Sequence, residues 1–280
     1  MNKNKERYSF SKLSTFHECK MQYYLQYVVK IPQKENIYSN LGSCIHNILE
    51  KRQELRKYNI KDDIEAFIDE VETAEMFGID FPNQKIKDDY IKCITHCLET
   101  LKPFDGEVEI EKELNFNIDD INIIGYVDCI RHLDNGRVDI YDYKTSSLYS
   151  KKQLEEKAMQ LILYAIGLEK EGYEVNSISW IFLKYATIQG VRKEKNIKRS
   201  ELTDNQEFKP CIYEWEYNEK EKQRAIEWVR STVKEINNCK EFNEWESKKI
   251  TKYNSFGCQQ ICSVCGKCEA LKQYLKNFKP

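Results

Sequence analysis

The chain has 280 residues, of which 32% are charged and 41% are hydrophobic, and it carries a formal net charge of -2. This length allows one large domain or two small ones, and the long periodic apolar segments exclude a disordered chain. The small net charge excludes a uniformly basic nucleic-acid-binding domain, so any basic surface must be local. No apolar run is long enough to span a membrane, and no apolar segment follows the charged N-terminus, so we expect a cytoplasmic protein.

Helical periodicity dominates the first 107 residues. Ser9 and Ser11 are candidate N-caps for a short amphipathic helical pair within residues 8–30. Three longer helices are predicted over residues 42–57, 62–76 and 85–101. On the first of them, His46 and Glu50 share a face because they lie four residues apart. Taken alone, a helical histidine is more often a packing residue than a metal ligand.

Alternation of apolar and polar residues begins at Val108 and predicts a first strand that contains Glu113. Ser150 and Gln153 form a capping box that starts a helix over residues 151–170. The remaining predicted elements are strands at 121–131, 137–145, 177–185 and 211–217, a basic loop at 190–199 and a helix at 218–238. This order predicts an α/β fold with a mixed sheet flanked by helices.

The stretch from Gly125 to Lys144 predicts a hairpin whose turn decides the position of two carboxylates. If Asn135 and Gly136 formed a two-residue loop, Asp142 would lie opposite Cys129 and Asp128 would face away. A three-residue loop with Gly136 in the left-handed region places Asp128 opposite Asp142 instead. We predict the three-residue loop. Adjacent carboxylates in one pocket favour a bound cation, and hard oxygen ligands suit Mg²⁺ or Mn²⁺.

The chain contains eleven cysteines, an odd number that is unusual for a disulfide framework. Cys258, Cys262, Cys265 and Cys268 lie within eleven residues of one another. Four thiolates this close predict a metal site, and both zinc and an iron–sulfur cluster fit them.

Five short motifs occur in one order along the chain. They are the segment from Ser9 to Cys19 with Phe16, the segment from Gly42 to Glu50 with His46, the segment Gly125–Asp128, the pair Asp142 and Lys144, and the pair Gln160 and Tyr164. In this order the chain resembles the PD-(D/E)XK nuclease superfamily, in particular the RecB-like exonucleases that include CRISPR-associated adaptation nucleases. The resemblance implies a restriction-endonuclease-like fold in a single domain. Its parts would be a helical region at 1–107, a catalytic sheet at 108–217 and a helix with a cysteine-rich segment at 218–280.

The resemblance also implies roles for individual residues. His46, Asp128, Asp142 and the backbone carbonyl of Tyr143 would bind a divalent Mg²⁺ or Mn²⁺ ion. Lys144 would orient the attacking water or the scissile phosphate. Gln160 and Tyr164 would position the lysine and the nucleic-acid backbone, and Glu113 would have a supporting role.

By the same resemblance, Cys19, Cys262, Cys265 and Cys268 would hold a [4Fe–4S] cluster that joins the two ends of the chain. This sequence departs from the usual family spacing, because its last two cysteines lie closer together. Cys258 is therefore an alternative ligand, and Zn²⁺ is an alternative to the cluster.

The implied function is metal-dependent DNA exonuclease activity on single strands or DNA ends, in repair, recombination, phage DNA metabolism or CRISPR adaptation. A helicase, a recombinase or a CRISPR integrase would be the partner. The alternatives are a site-specific or structure-specific endonuclease and a non-catalytic DNA-binding subunit.

Overall fold

The computed structural model describes residues 6–56, 58–190 and 193–277 and shows an α/β protein. The helices of this part of the chain are α1 (Phe10–Glu18), α2 (Lys20–Tyr23), α3 (Ile37–Leu55), α4 (Ile60–Met76), α5 (Gln84–Thr100), α6 (Lys151–Lys170), α7 (Glu219–Asn238) and α8 (Glu269–Asn277). The strands are β1 (Arg7–Tyr8), β2 (Val108–Ile118), β3 (Ile121–His132), β4 (Arg137–Lys144), β5 (Glu174–Ile188), β6 (Lys195–Lys198) and β7 (Phe208–Trp215).

The strands form one seven-stranded mixed sheet with the order β1-β3-β4-β5-β6, in which β2 pairs with β3 and β7 pairs with β5. Strands β3 and β4 are antiparallel and form the predicted hairpin, whereas β4 and β5 are parallel. A parallel pair needs a long crossover connection, which α6 supplies. The predicted α/β fold with a mixed central sheet is confirmed.

Strand β4 lies at the centre of the sheet, and all of its residues except the two terminal ones are buried. Tyr141 and Tyr143 pack into an apolar cluster that helices α3, α4 and α5 build on one face. Alternation directs Ile140 and Asp142 to the opposite face, where α6 contacts the sheet. Because both faces of this strand are covered, its two aspartates, Asp139 and Asp142, are held inside the protein.

The chain divides into two compact units. The first contains the described residues of Met1–Asn36, Phe116–Ile124 and Gln223–Pro280, so it joins the N-terminal and C-terminal segments. Within it, His17 Nε2 lies 2.7 Å from Thr232 Oγ1, and the rings of Tyr23 and Trp245 stack with centroids 5.9 Å apart. The second unit contains Ile37–Asn115 and Gly125–Lys222 and holds the apolar cluster on α3, α4 and α5.

Two short strands were not predicted from the sequence. Strand β1 has only two residues, which is too short for a period-two pattern, and it pairs parallel with β3 through Arg7 and Asn122. The basic segment predicted as a loop contains strand β6, since Lys198 pairs with Tyr185 of β5. Here the ladder with β5 decides the conformation rather than local propensity. Val191 and Arg192 of that segment lie outside the described residues.

No helix in the described ranges is both long enough and apolar enough to cross a membrane.

One buried arginine joins three elements of the second unit. Arg52 on α3 is 2% exposed, and its Nε donates to Asp63 Oδ2 on α4 at 2.6 Å. Its Nη1 donates to the backbone carbonyls of Leu98 and Leu101 at the end of α5, at 2.8 and 3.3 Å. These bonds satisfy carbonyls that the end of a helix would otherwise leave unpaired. Arg52 therefore fixes the C-terminal half of α3 to both neighbouring helices.

Arg52→Ala should lower the free energy of unfolding by about 3 kcal/mol, because it leaves a carboxylate and two helix-end carbonyls without their buried partner. Chemical denaturation measures this change. The matched control is Arg230→Ala, which removes an ion pair with Asp119 whose side chains are 44% and 54% exposed. This control should change stability little, and equal losses in the two variants would contradict the assignment.

Candidate active site

The turn between β3 and β4 sets the register in which these two strands pair, and so the positions of the two carboxylates. Cys129 pairs with Tyr141 and His132 pairs with Val138, which leaves residues 134–136 as the loop. Gly136 has a φ of 79°, and its N–H donates to the Leu133 carbonyl at 2.9 Å. The three-residue loop is confirmed. Continuing this register by one residue places Asp128 opposite Asp142.

Both carboxylates of the hairpin are buried. Asp128 is 8% exposed and Asp142 only 1%. The pKa of Asp128 is raised well above its usual range, first by burial and then by the negative charge of Asp142. Asp128 Oδ2 accepts a hydrogen bond of 2.7 Å from the backbone N–H of Tyr143. This single bond does not offset the burial of two adjacent acids, so the pair favours a cation.

Lys144 is a partly buried cation held beside Asp142. Its Nζ lies 2.5 Å from Asp142 Oδ2 and donates to Gln160 Oε1 at 3.1 Å. Burial lowers the pKa of Lys144, but the nearby carboxylates raise it more strongly, to about 12. The lysine is therefore charged at neutral pH, and its position is fixed from both the sheet and α6.

Gln160 and Tyr164 on α6 extend this chain of contacts. Gln160 Nε2 donates to the Tyr164 hydroxyl at 2.9 Å, which orients the amide so that its oxygen faces Lys144. The Tyr164 ring lies directly against Gly125, where an added Cβ would come within 2.8 Å of Cε1. A glycine is therefore needed at position 125 because the ring occupies the space of a side chain.

His46 reaches the hairpin from α3. Its Nε2 lies 3.1 Å from the Tyr143 carbonyl, and its Nδ1 lies 3.5 Å from Asp128 Oδ2. A carbonyl only accepts, so Nε2 carries the hydrogen of the neutral ring and the Nδ1 lone pair faces the carboxylate. Burial lowers the pKa of His46, which favours this neutral form. Two acceptors facing each other also favour a cation between them.

A carboxylate that sequence analysis did not select completes this group. Ligand atoms of His46, Glu111 and Asp128 all lie within 4.8 Å of one another. Glu111 lies on β2 with a φ of 45°, a left-handed value that is rare for residues other than glycine. Sequence analysis chose Glu113, which alternation alone cannot distinguish from Glu111 because both lie on the same face of a regular strand.

Glu50 lies one helical turn after His46 on α3. Burial, followed by its interaction with Glu111, raises the pKa of Glu50 to about 7. A cavity of about 420 Å³ opens beside these groups and is lined by Gly42, Ser43, His46, Asn47, Glu50 and Glu111. The donor set of an imidazole nitrogen and carboxylate oxygens fits a divalent ion such as Mg²⁺ or Mn²⁺. Asp142 is not one of these three donors, and the roles of Asp142 and the Tyr143 carbonyl as ligands stay predictions.

A second candidate centre lies within the first unit. A small cavity of about 20 Å³ is lined by four of the cysteines, Cys19, Cys258, Cys262 and Cys268. Burial raises the pKa of Cys262 to about 11 and also raises that of Cys258, so these thiols stay protonated in the absence of a metal. Cys265 does not line the cavity, although its charge contributes to the pKa of Cys262. Three predicted ligands and the predicted alternative therefore share one cavity.

The profile of the PD-(D/E)XK nuclease superfamily matches residues 7–270 of the chain. Uncharacterised proteins of Rickettsia felis and Rickettsia typhi are 27% identical over 210 residues and 29% identical over 179 residues. These matches cover 67% and 56% of this chain, and 24% and 20% of the two proteins.

A Streptococcus agalactiae protein, named as one of the subunits of an ATP-dependent helicase/deoxyribonuclease, is 25% identical over 180 residues. These residues are 58% of this chain and 16% of that protein. The chain thus spans a quarter or less of the length of the curated relatives that it matches.

Gly125→Ala should displace the Tyr164 ring and, through Gln160, misplace Lys144. A misplacement of about 1 Å can reduce catalysis about 100-fold, so we expect a loss of that size in DNA hydrolysis. Hydrolysis rates and thermal melts of the purified variant measure the effect. Activity equal to that of the wild type would show that the contact between Gly125 and Tyr164 does not position the site.

Proposed function

The chain belongs to the PD-(D/E)XK nuclease superfamily, and from this premise we propose that it is a divalent-metal-dependent DNA exonuclease acting on single strands or DNA ends. The observation that carries the proposal is the convergence of His46, Glu111 and Asp128 beside a partly buried, charged lysine. This set of residue types supports a hydrolytic site over a fold that only binds DNA.

His46, Glu111, Asp128 and Asp142 would hold the divalent ion. When bound, such an ion stabilises negative charge on a phosphate and lowers the pKa of a water ligand. His46 is neutral and fixed by the Tyr143 carbonyl, so its ring is ready to bind without first losing a proton. The ion would add positive charge beside two buried aspartates, of which Lys144 pairs with only one.

Lys144 supplies a second positive charge beside the proposed ion. Its ammonium group has three hydrogens, and two of them point toward Asp142 and Gln160. The third hydrogen is available to a phosphate oxygen or to the attacking water. Because Gln160 is itself oriented by Tyr164, the lysine is held in place before substrate arrives, which lowers the reorganisation that the reaction requires.

Cysteines of the first unit are proposed to hold a [4Fe–4S] cluster. Cys19, Cys262 and Cys268 would supply three ligands, and the fourth would be Cys265 or Cys258. The support for a shared site is that Cys19, Cys258, Cys262 and Cys268 line one cavity. Zinc held by four thiolates is the alternative.

A helicase is the partner that the comparisons support, because a relative is named as part of a helicase/deoxyribonuclease. Repair or recombination would then be the pathway, while phage DNA metabolism and CRISPR adaptation remain alternatives that genomic neighbours distinguish. The proposed cellular location is the cytoplasm.

Asp142→Asn and Lys144→Ala should each reduce hydrolysis of end-labelled single-stranded DNA by about 100-fold to 1000-fold with Mg²⁺ or Mn²⁺, and EDTA should abolish wild-type activity. The matched control is Asp139→Asn. This carboxylate lies on the same strand but accepts hydrogen bonds from Asn176 and Ser177, so its loss should spare hydrolysis. Undiminished activity of Asp142→Asn would refute the proposal, and cleavage of closed circular DNA would favour an endonuclease.

Anaerobically purified protein should be brown and contain iron and acid-labile sulfide. Cys19→Ala should lose iron and melt at lower temperature, because ligation energy is folding energy when the ligands come from both ends of the chain. Comparing iron content in Cys258→Ala and Cys265→Ala identifies the fourth ligand. Colourless protein with stoichiometric zinc would rule out the cluster.

A further inference from the structure

A segment next to the cysteine cavity has an unusual charge pattern. Residues 247–268 contain four lysines and no aspartate or glutamate. Acidic residues make up 46 of the 280 in the chain, a frequency at which a segment of this length would hold between three and four. Polyanions are repelled by carboxylates, so a segment that lacks them is suited to bind a polyanion.

The charge of the whole first unit agrees with this pattern. Its described residues carry 15 Lys and Arg against 11 Asp and Glu, whereas those of the second unit carry 24 against 35. The catalytic residues thus lie in a unit with a net charge of -11, and the excess of cations lies in the first unit. DNA would therefore be attracted to the first unit more strongly than to the catalytic unit.

Within the segment, a hydrogen-bonded turn presents an aromatic ring to solvent. We call residues 249–254 the Tyr253 turn. Asn254 fixes it, because its Oδ1 accepts from the Thr251 N–H at 2.8 Å and its Nδ2 donates to the Lys249 carbonyl at 3.0 Å. The Tyr253 side chain at its tip is 86% exposed. The exposed ring offers a flat face on which an unpaired base can stack.

The lysines of the turn are free to act on a ligand. Lys249 and Lys252 are exposed, and neither pairs with a carboxylate in the described ranges. Lys252 Nζ lies 5.0 Å from the centre of the Tyr253 ring. Lys248 differs, since it lines the cysteine cavity and its N–H donates to Cys19 Sγ. Lys248 is therefore part of the lining of the cysteine cavity, whereas Lys249 and Lys252 are not.

We propose that the Tyr253 turn binds single-stranded DNA, with Tyr253 stacking on a base and Lys249 and Lys252 pairing with the flanking phosphates. A fully exposed ring can stack only on a base that is not already enclosed in a duplex, and such stacking tolerates any sequence. The inference rests on the proposed function, because it takes the same substrate, single-stranded DNA. It places the initial contact with that DNA on the unit that holds the cysteines.

The test measures binding of a fluorescein-labelled 20-nucleotide oligothymidylate by anisotropy in EDTA, so that no hydrolysis is needed. Tyr253→Ala should weaken binding about tenfold, and Tyr253→Phe should restore most of the affinity because it keeps the ring. The double variant Lys249→Gln with Lys252→Gln should reduce the salt dependence of log K by about 1.4, the value for two lost phosphate contacts on a single strand.

The matched control is Phe77→Ala, which removes a ring that is 79% exposed in the second unit and should leave affinity unchanged. Iron content and melting temperature of each variant establish that the fold is intact. Wild-type affinity in Tyr253→Ala, or an equal loss of binding to a blunt duplex, would overturn the inference. Binding that depends on Tyr253 in a protein that hydrolyses no DNA would instead refute the proposed function and leave this inference standing.

Discussion

The burial of two opposed carboxylates is the constraint on which the rest of the site depends. Asp128 and Asp142 are brought together by one turn, and almost no water reaches them. Two adjacent negative charges are unfavourable in a protein interior. The surrounding groups offset this cost. Lys144 pairs with Asp142, the Tyr143 N–H donates to Asp128, and His46 and Glu111 supply further ligand atoms for a cation.

The scaffold explains why these groups stay in place. Helix α3 carries His46 near its middle and Arg52 near its end, and the buried arginine fixes that helix to α4 and α5. On the other face of the sheet, α6 holds Gln160 and Tyr164 against Lys144 and Gly125. Sites built on packed helices and strands hold their geometry more closely than sites built on loops.

Sequence analysis succeeded where a local rule decides the structure. Gly136 requires a left-handed turn, and that turn alone fixed the register of Asp128 and Asp142. It failed at Glu111, because a positive φ in the middle of a strand leaves no signal in an alternating pattern. The family resemblance predicted that Cys19 meets the C-terminal cysteines, but the sequence did not show that Cys258 rather than Cys265 lines the cavity, because tertiary packing decides this. Spacing can suggest candidate ligands there but does not rank them.

The central claim is that the buried acids need a divalent cation, and metal-dependent stability tests it most directly. A ligand that binds only the folded state stabilises it by an amount that rises with the logarithm of the ligand concentration once this exceeds Kd. Thermal melts in increasing Mn²⁺ should therefore show a rising melting temperature for the wild type. Asp128→Asn removes one of the two charges, so it should melt at a higher temperature than the wild type without metal and respond little to Mn²⁺. A wild-type melting temperature that is independent of Mn²⁺, or equal to that of Asp128→Asn throughout, would contradict the account.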